Sequence, residues 1–284
     1  EKVSAILAVR EFPEDQYVFF ATAQGMVKKV QLSAFKNVRS QGIKAIALKE
    51  GDYLVGAAQT GGADDIMLFS NLGKAIRFNE YWEKSGNDEA EDADIETENE
   101  DSDGLDDENA ENALPSGKHG VRPSGRGSGG LRGMRLPADG KIVSLITFAP
   151  EAEQSDLQVL TATANGYGKR TPIADYSRKN KGGQGNIAIN TGERNGDLVA
   201  ATLVSETDDL MLITSGGVLI RTKVEQIRET GRAAAGVRLI NLDEGETLVS
   251  LERVAEEAED EAALESDVAE NQAVEAEDTP SQES

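Results

Sequence analysis

Apolar residues in this chain come in short runs, and four of the runs repeat a longer pattern. They read YVFFATAQGMVKKV (17–30), DIMLFSNLGKAIRF (65–78), QVLTATANGYGKRT (158–171) and DLMLITSGGVLIRT (209–222). Each has an apolar arm, a bend with a glycine (Gly25, Gly73, Gly166 or Gly217), and a second arm. Four residues past the glycine that arm carries a base: Lys29, Arg77, Arg170 or Arg221. Val, Ile, Phe, Leu and Thr on both arms, with glycine where the bend needs positive φ, predict a β-hairpin. A polar, glycine-rich loop then leads to a further strand: QGIKAIAL (41–48), GGLRGMRL (129–136), QGNIAI (184–189) and AGVRLINL (235–242). The repeat phase predicts strands near 3–9, 17–23, 26–32, 43–48, 53–59, 65–70, 74–79, 131–136, 141–148, 157–163, 167–172, 186–190, 197–204, 209–214, 218–223, 236–241 and 247–253. Helical periodicity is missing, although 32–38 and 222–230 suit a short helical turn. A unit of roughly 50 residues with about four strands predicts an all-β fold of radial blades.

Spacing from hairpin glycine to loop glycine (Gly42, Gly130, Gly185, Gly236) is 17, 57, 19 and 19 residues. The long interval contains segment 83–119, whose 37 residues account for the excess. Charge finds the same segment. The chain has 284 residues and a net charge of −23. Segment 83–119 holds 15 acids and 2 lysines; 255–284 holds 12 acids and no Lys or Arg. The other 217 residues hold 25 acids and 27 bases. Both acidic segments are too poor in apolar residues to offset chain entropy, so both are expected to be disordered. The folded domain is expected over 1–254, interrupted by the insertion, with 255–284 as a tail.

Composition narrows the chemistry. Cysteine is absent and His119 is the one histidine, which excludes thiol catalysis, disulfides and multi-histidine metal sites. NEDSDGLDDENA (99–110) resembles a calcium loop but has Asn99 and Ala110 at its key ends. GRGSGGLRG (125–133) lacks the Lys-Ser/Thr ending of a phosphate loop. No catalytic or metal residue is expected. The stretch 142–150 is too short to span a bilayer, and the N-terminus has no signal-peptide core. No initiator Met is present, so the chain reads as an excerpt or a processed form.

Bases recur in register. The hairpins supply Lys28, Lys29, Arg77, Lys169, Arg170, Arg221 and Lys223. The loops supply Lys44, Arg126, Arg132, Arg178, Lys179, Lys181, Arg232 and Arg238. On the rim of a circular repeat fold such bases would follow a phosphate backbone. The sparse aromatics favour duplex over stacked single strands. On pattern alone, bases that merely solubilise strand exteriors stand level with this reading.

The motifs TATANGYGKRT (161–171), ERNGDLV (193–199), GVRLINLDEGETLVSLERVAE (236–256), VFFATAQGMVKKV (18–30) and IMLFSNLGKAIRF (66–78) together resemble the C-terminal domain of the bacterial DNA gyrase A protein. The topoisomerase IV counterpart is resembled less. The resemblance implies a β-pinwheel, a disc whose blades exchange strands and around whose basic rim duplex DNA bends. It implies a part in ATP-dependent negative supercoiling by an A2B2 enzyme, with the remainder of gyrase A and the whole of gyrase B as partners. ATP and Mg2+ would serve other regions, and no cofactor is expected in this chain. The cleavage tyrosine of the family lies outside the chain, so the chain alone is expected to be non-catalytic. A cytoplasmic, nucleoid-associated location follows, with no membrane partner. The family box Gln-Arg-Arg-Gly-Gly-Lys-Gly is absent; its nearest echo is KNKGGQG (179–185), with Lys181, Gly182, Gly183 and Gly185. Four repeats are fewer than the family disc holds, which predicts an open disc with exposed strand edges. The alternatives are a topoisomerase IV C-terminal domain and a protein-binding β-propeller.

Overall fold

The structure, a computed structural model, describes residues 3–37, 40–82 and 120–254. The acidic segments 83–119 and 255–284, with their expected disorder, lie outside the described residues. The described strands are β1 (Tyr17–Thr22), β2 (Met26–Gln31), β3 (Leu54–Thr60), β4 (Asp65–Ser70), β5 (Lys74–Asn79), β6 (Leu131–Arg132), β7 (Ile142–Phe148), β8 (Gln158–Thr163), β9 (Tyr167–Pro172), β10 (Asn186–Ile187), β11 (Leu198–Val204), β12 (Asp209–Thr214), β13 (Leu219–Lys223), β14 (Val237–Arg238) and β15 (Leu248–Val254). Short 3-10 turns follow three hairpins at Leu32–Phe35, Ile173–Asp175 and Val224–Gln226. Among the described residues no helix is long and apolar enough to cross a membrane.

The strands form four antiparallel sheets, in the orders β3-β1-β2-β6, β10-β5-β4-β7, β11-β8-β9-β14 and β13-β12-β15. In the first three sheets the hairpin occupies the middle, whereas in the fourth β13 is an edge. The short outer strand comes from the next repeat: β6 follows the second hairpin yet pairs with β2 of the first. β10 pairs with β5, and β14 with β9, in the same way. The blades therefore exchange strands, as a β-pinwheel requires.

A single backbone contact carries the exchange. The carbonyl of hairpin Gly25 accepts the N–H groups of Gly133 (2.8 Å) and Met134 (3.2 Å). Gly73 accepts Ala188 and Ile189, and Gly166 accepts Leu239 and Ile240. The donated strand enters at a glycine with positive φ: Gly130 (+90°), Gly185 (+69°) or Gly236 (+80°). A Cβ there would collide with the carbonyl of Val27, Ala75 or Gly168.

The donated strands pair over two residues instead of the expected five or six. Just beyond, the chain turns inward to bury Met134, Ile189 and Ile240. Residues 3–9 and 43–48 form no strand. Segment 43–48 is a donated strand by its repeat phase, and among the described residues no hairpin precedes β1 to receive it. Its Ile46 packs instead beside Val18, Phe20, Val30 and Leu32.

The cores lie between blades. Alternate residues of β4 face opposite ways: Ile66 and Leu68 join Phe19 and Ala21 of β1, while Met67 and Phe69 join Val159 of β8. Leu160 and Ala162 of β8 meet Leu210 and Leu212 of β12. Burial on both faces explains why these arms read as unbroken apolar runs.

Strand donation yields a contrast between two glycines. Gly51 (φ +76°) has open space around its Cβ position, so Gly51→Ala is expected to cost only the left-handed strain of about 1–2 kcal/mol. Gly185→Ala adds a collision with the Ala75 carbonyl and should cost at least about 1 kcal/mol more. Denaturant unfolding of both variants measures the difference, and equal losses would contradict the exchange geometry.

Candidate nucleic-acid interface

The bases in register divide into an inner and an outer set. Lys28, Lys29, Arg77, Lys169 and Arg170, expected on the rim, are buried. This corrects the reading of the second hairpin arm as a basic surface band. That arm lies between the donated strand and the rest of its sheet, and neighbouring blades cover its faces. Lys28 Nζ donates to the carbonyls of Ala45 (2.9 Å), Arg126 (2.7 Å) and Ser128 (2.9 Å). Lys169 Nζ donates to the carbonyls of Gly231 (2.6 Å) and Arg232. Both amines thus fasten glycine-rich loops, and burial lowers each to about 8.

The base at the fourth position links one blade to the next. Arg77 pairs with buried Asp65 and donates to the Tyr176 carbonyl at 3.0 Å. Arg170 donates to the Ile227 carbonyl (2.5 Å) and pairs with Glu206 (2.9 Å). Tyr176 and Ile227 end the 3-10 turns that follow the next hairpin. Lys29 lies over the Tyr17 ring and pairs with Glu80 at 3.4 Å. Burial pushes the Glu80 carboxyl up and the Lys29 amine down, each against the pull of its partner. Arg221 is the exception. It pairs with Asp209 but stays exposed, because no further described blade covers β13. Lys223 is exposed beside Glu225.

The outer set occupies the donated strands and loops. Three outer rungs pair Met26 with Arg132, Lys74 with Ile187, and Tyr167 with Arg238. Each rung carries one base. On the second rung it has moved from the donated strand, where Ile187 stands, to the hairpin arm, where Lys74 stands. The sequence reading missed Lys74 because it followed one repeat position rather than the cross-strand pair. Lys44 occupies the matching position of the unpaired donated segment and is exposed.

The third rung is elaborated. Arg238 donates to the Tyr167 hydroxyl at 2.7 Å, and Arg194 lies 4.4 Å from the ring centre. A hydrogen bond from Arg194, then one from Arg238, holds the phenol below its usual range. Arg194 was also missed; no repeat pattern marks it.

An open cleft of about 970 Å3 runs between the second rung and the loop at 231–234. Lys74, Lys179 and Arg232 line it, opposed by Asp175. The box-like loop lies alongside. Gly182 N–H donates to the Gly133 carbonyl, and Gly183 O accepts from Arg135 N–H, both at 2.8 Å. Burial lowers the Lys181 amine. Arg178 reaches Asp65 at 2.9 Å, whereas Arg126 is half-buried with its carbonyl on Lys28. Among the described residues no group of three His, Cys, Asp or Glu could hold a metal.

The inner set is expected to act on stability. Arg77→Met removes one of the two guanidinium partners of buried Asp65, leaving Arg178, and should cost about 1–3 kcal/mol in denaturant unfolding. Lys28→Met with Lys169→Met should cost about 1–3 kcal/mol per lysine by leaving loop carbonyls unpaired. The amines fall from 10.5 to about 8 on folding, so across that window the unfolded chain holds protons that the folded chain has lost. Their contribution therefore becomes more favourable as pH rises from about 8 to 10.5. The stability gap between the unaltered protein and the double variant should widen over that range in a pH series of melts.

The comparisons follow this geometry. The family model described as "DNA gyrase C-terminal domain, beta-propeller" matches residues 16–60, 64–81, 119–149, 158–205 and 208–255. The chain is 93% identical over 259 residues to the DNA gyrase A protein of Neisseria gonorrhoeae, covering 90% of this chain and 28% of that protein. It is 45% identical to the Aeromonas salmonicida gyrase A protein over 92% of this chain and 29% of that one. The chain thus spans a little over a quarter of the length of these curated relatives. Among solved structures, a DNA gyrase A C-terminal domain superposes with a TM-score of 0.65 at 23% identity, covering 88% of this chain and 70% of that one. A DNA topoisomerase IV C-terminal domain gives 0.68 at 21%, covering 93% and 69%. Blades that exchange strands, and a family match across every one of them, place this chain in the DNA gyrase C-terminal domain family.

Proposed function

We propose that this domain binds duplex DNA along the outer edges of its blades and bends it there. The observation that carries the reading is one base per outer rung, whichever strand supplies it. A base that changes strand yet keeps its rung is hard to attribute to packing, since the rung side chains face outward. Glycine-rich loops beside Lys74, Lys179 and Arg232 let backbone N–H groups approach phosphates. Bending a duplex costs about 1–6 kcal/mol per 20–30 base pairs, which repeated rim contacts offset. Lys44, Arg126, Arg132, Arg178, Lys181, Arg221 and Lys223 complete the outer set, while the five buried cations hold the blades that present it.

Within a whole gyrase, such wrapping would direct ATP-dependent negative supercoiling. The remainder of gyrase A and the whole of gyrase B would be its partners in an A2B2 assembly, with ATP and Mg2+ used elsewhere. The cytoplasm, on the nucleoid, is the matching location.

A salt titration of nonspecific duplex binding tests the reading. About six to ten phosphate contacts should lose about 10³- to 10⁵-fold in affinity between 50 and 200 mM salt. Changing Arg132, Lys74 and Arg238 to Ala should flatten the log–log slope by about 0.9 for each phosphate no longer engaged. Lys28→Met with Lys169→Met should lower the melting temperature with little change of slope. A flat salt dependence, or no binding at low salt, would overturn the proposal and favour a protein-binding disc.

A further inference from the structure

The third rung gathers two arginines at one tyrosine. Arg238 belongs to the donated strand β14, and Arg194 to a tight turn between β10 and β11. Both guanidinium groups lie over the Tyr167 ring, 5.1 Å and 4.4 Å from its centre. Among the described residues their hydrogen-bond partners are neutral. Arg238 donates to the Tyr167 hydroxyl and to Asn241 Oδ1 (3.2 Å), and Arg194 donates to the same phenol. The inner bases meet carboxylates instead: Lys29 with Glu80, Arg77 with Asp65, Arg170 with Glu206. Two positive charges at one neutral ring repel each other, and an anion between them would turn that repulsion into attraction.

Both arginines spring from one framework. The turn at 192–196 closes through the Gly192 carbonyl, which accepts the N–H groups of Asn195 (3.1 Å) and Gly196 (2.6 Å). Asn165, at the hairpin bend, donates Nδ2 to the carbonyls of Glu193 (3.0 Å) and Arg194 (3.1 Å), and its N–H to the Asn195 carbonyl (2.9 Å). Buried Asn195 donates Nδ2 to the carbonyls of Asn190 (2.6 Å) and Ala235 (2.7 Å). Ala235 stands three residues before Arg238, where the donated strand enters. One buried amide thus ties the turn carrying Arg194 to the strand carrying Arg238. The strand exchange itself does not demand this: Gln24 and Leu72 take the place of Asn165 in the first two hairpins, and Met26 and Lys74 that of Tyr167.

We propose that Arg194 and Arg238 clamp a single phosphodiester group of bound duplex, with the Tyr167 ring as the floor and Asn195 as the positioning residue. The inference rests on the proposed binding of duplex along the blade edges and names a subsite within it. A planar guanidinium presents parallel N–H groups that match two phosphate oxygens. Stacking on the ring restrains both side chains before the ligand arrives, so less freedom is lost on binding. A duplex is the favoured source of the phosphate because Arg238 continues the line of Arg132 and Lys74 along the outer rungs.

Salt titrations of nonspecific duplex binding test the clamp. Both arginines are exposed, so their variants should melt with the unaltered protein. Arg194→Gln and Arg238→Gln should each weaken binding about tenfold at low salt, with the log–log slope nearly unchanged, because the other arginine keeps the phosphate. Together they should flatten the slope by about 0.9, the value for one phosphate. Separate phosphates would give about 0.9 for each single change and about 1.8 for both, which overturns the clamp, as does an unchanged slope in the double variant. Arg132→Ala with Lys74→Ala separates the two levels. If that pair flattens the slope and the arginine pair does not, the clamp alone fails; if neither does, the binding of duplex along the rungs fails with it. Asn195→Ala should weaken binding about threefold in the unaltered protein and leave the double variant unaffected. An equal loss in both backgrounds would overturn the positioning role. Inorganic phosphate at about 5 mM and constant ionic strength should leave duplex affinity unchanged. Displacement of duplex from the unaltered protein but not from the double variant would assign the clamp to free phosphate and overturn the proposal.

Discussion

Everything in this fold hangs on the carbonyl of a hairpin glycine that receives two N–H groups from the following repeat. Each hairpin arm leaves one edge of polar backbone without a partner inside its own repeat. A two-residue strand from the next repeat satisfies that edge, and the same chain then turns inward to fill the core between the two blades. One repeat can bury neither its edge nor its apolar face alone, so stability is shared between neighbours. The glycines follow from this. At the entry of each donated strand any side chain would strike a backbone oxygen, so those positions are set by the approach of two chains as well as by the turn.

The buried cations reinforce the same junction. Charged groups in a core cost desolvation energy, and an apolar replacement of matching shape is often no less stable. Ile76 and Ile220 stand where Lys28 and Lys169 stand in other repeats, so the fold tolerates an apolar residue there. What lysine adds is direction. Its donors fix the carbonyls of a glycine-rich loop that has few side chains of its own to hold it. Arg77 and Arg170 do likewise at the end of the neighbour's 3-10 turn. Such a glycine-rich loop is thus ordered from below by a buried cation rather than by packing on its exposed side.

Much of this was legible in the sequence, for identifiable reasons. Hairpins were readable because arms buried on both faces are unbroken apolar runs around a glycine. The insertion was readable because it lengthens one interval of a regular series. Depth was not. The recurrence of Lys29, Arg77 and Arg170 was seen correctly, yet periodicity says only that positions are equivalent, not whether they face water. Their partners Asp65, Glu80 and Glu206 lie at different sequence offsets, and strand exchange alone brings the neighbour's carbonyls to them. Lys74 escaped notice for the complementary reason: its role is defined across a pair of strands, and the base changes strand between repeats. Segment 43–48 was read as a strand from its repeat phase, and among the described residues no hairpin arm pairs with it.

Burying five bases alters the electrostatic argument. The folded part holds 27 bases against 25 acids, and moving those five inside with Asp65, Glu80 and Asp208 leaves a surface close to neutral. Net charge therefore cannot be the source of any affinity for a polyanion; its placement must be. A duplex presents charge along a line, and a line of bases spaced one per blade matches it even on a neutral body. Acids elsewhere on the surface then discourage binding in other orientations. On this view the two acidic segments matter less for their total charge than for whether they can reach the rungs. That makes the spacing of Arg132, Lys74 and Arg238, fixed by strand exchange, the link between how the chain folds and what it can hold.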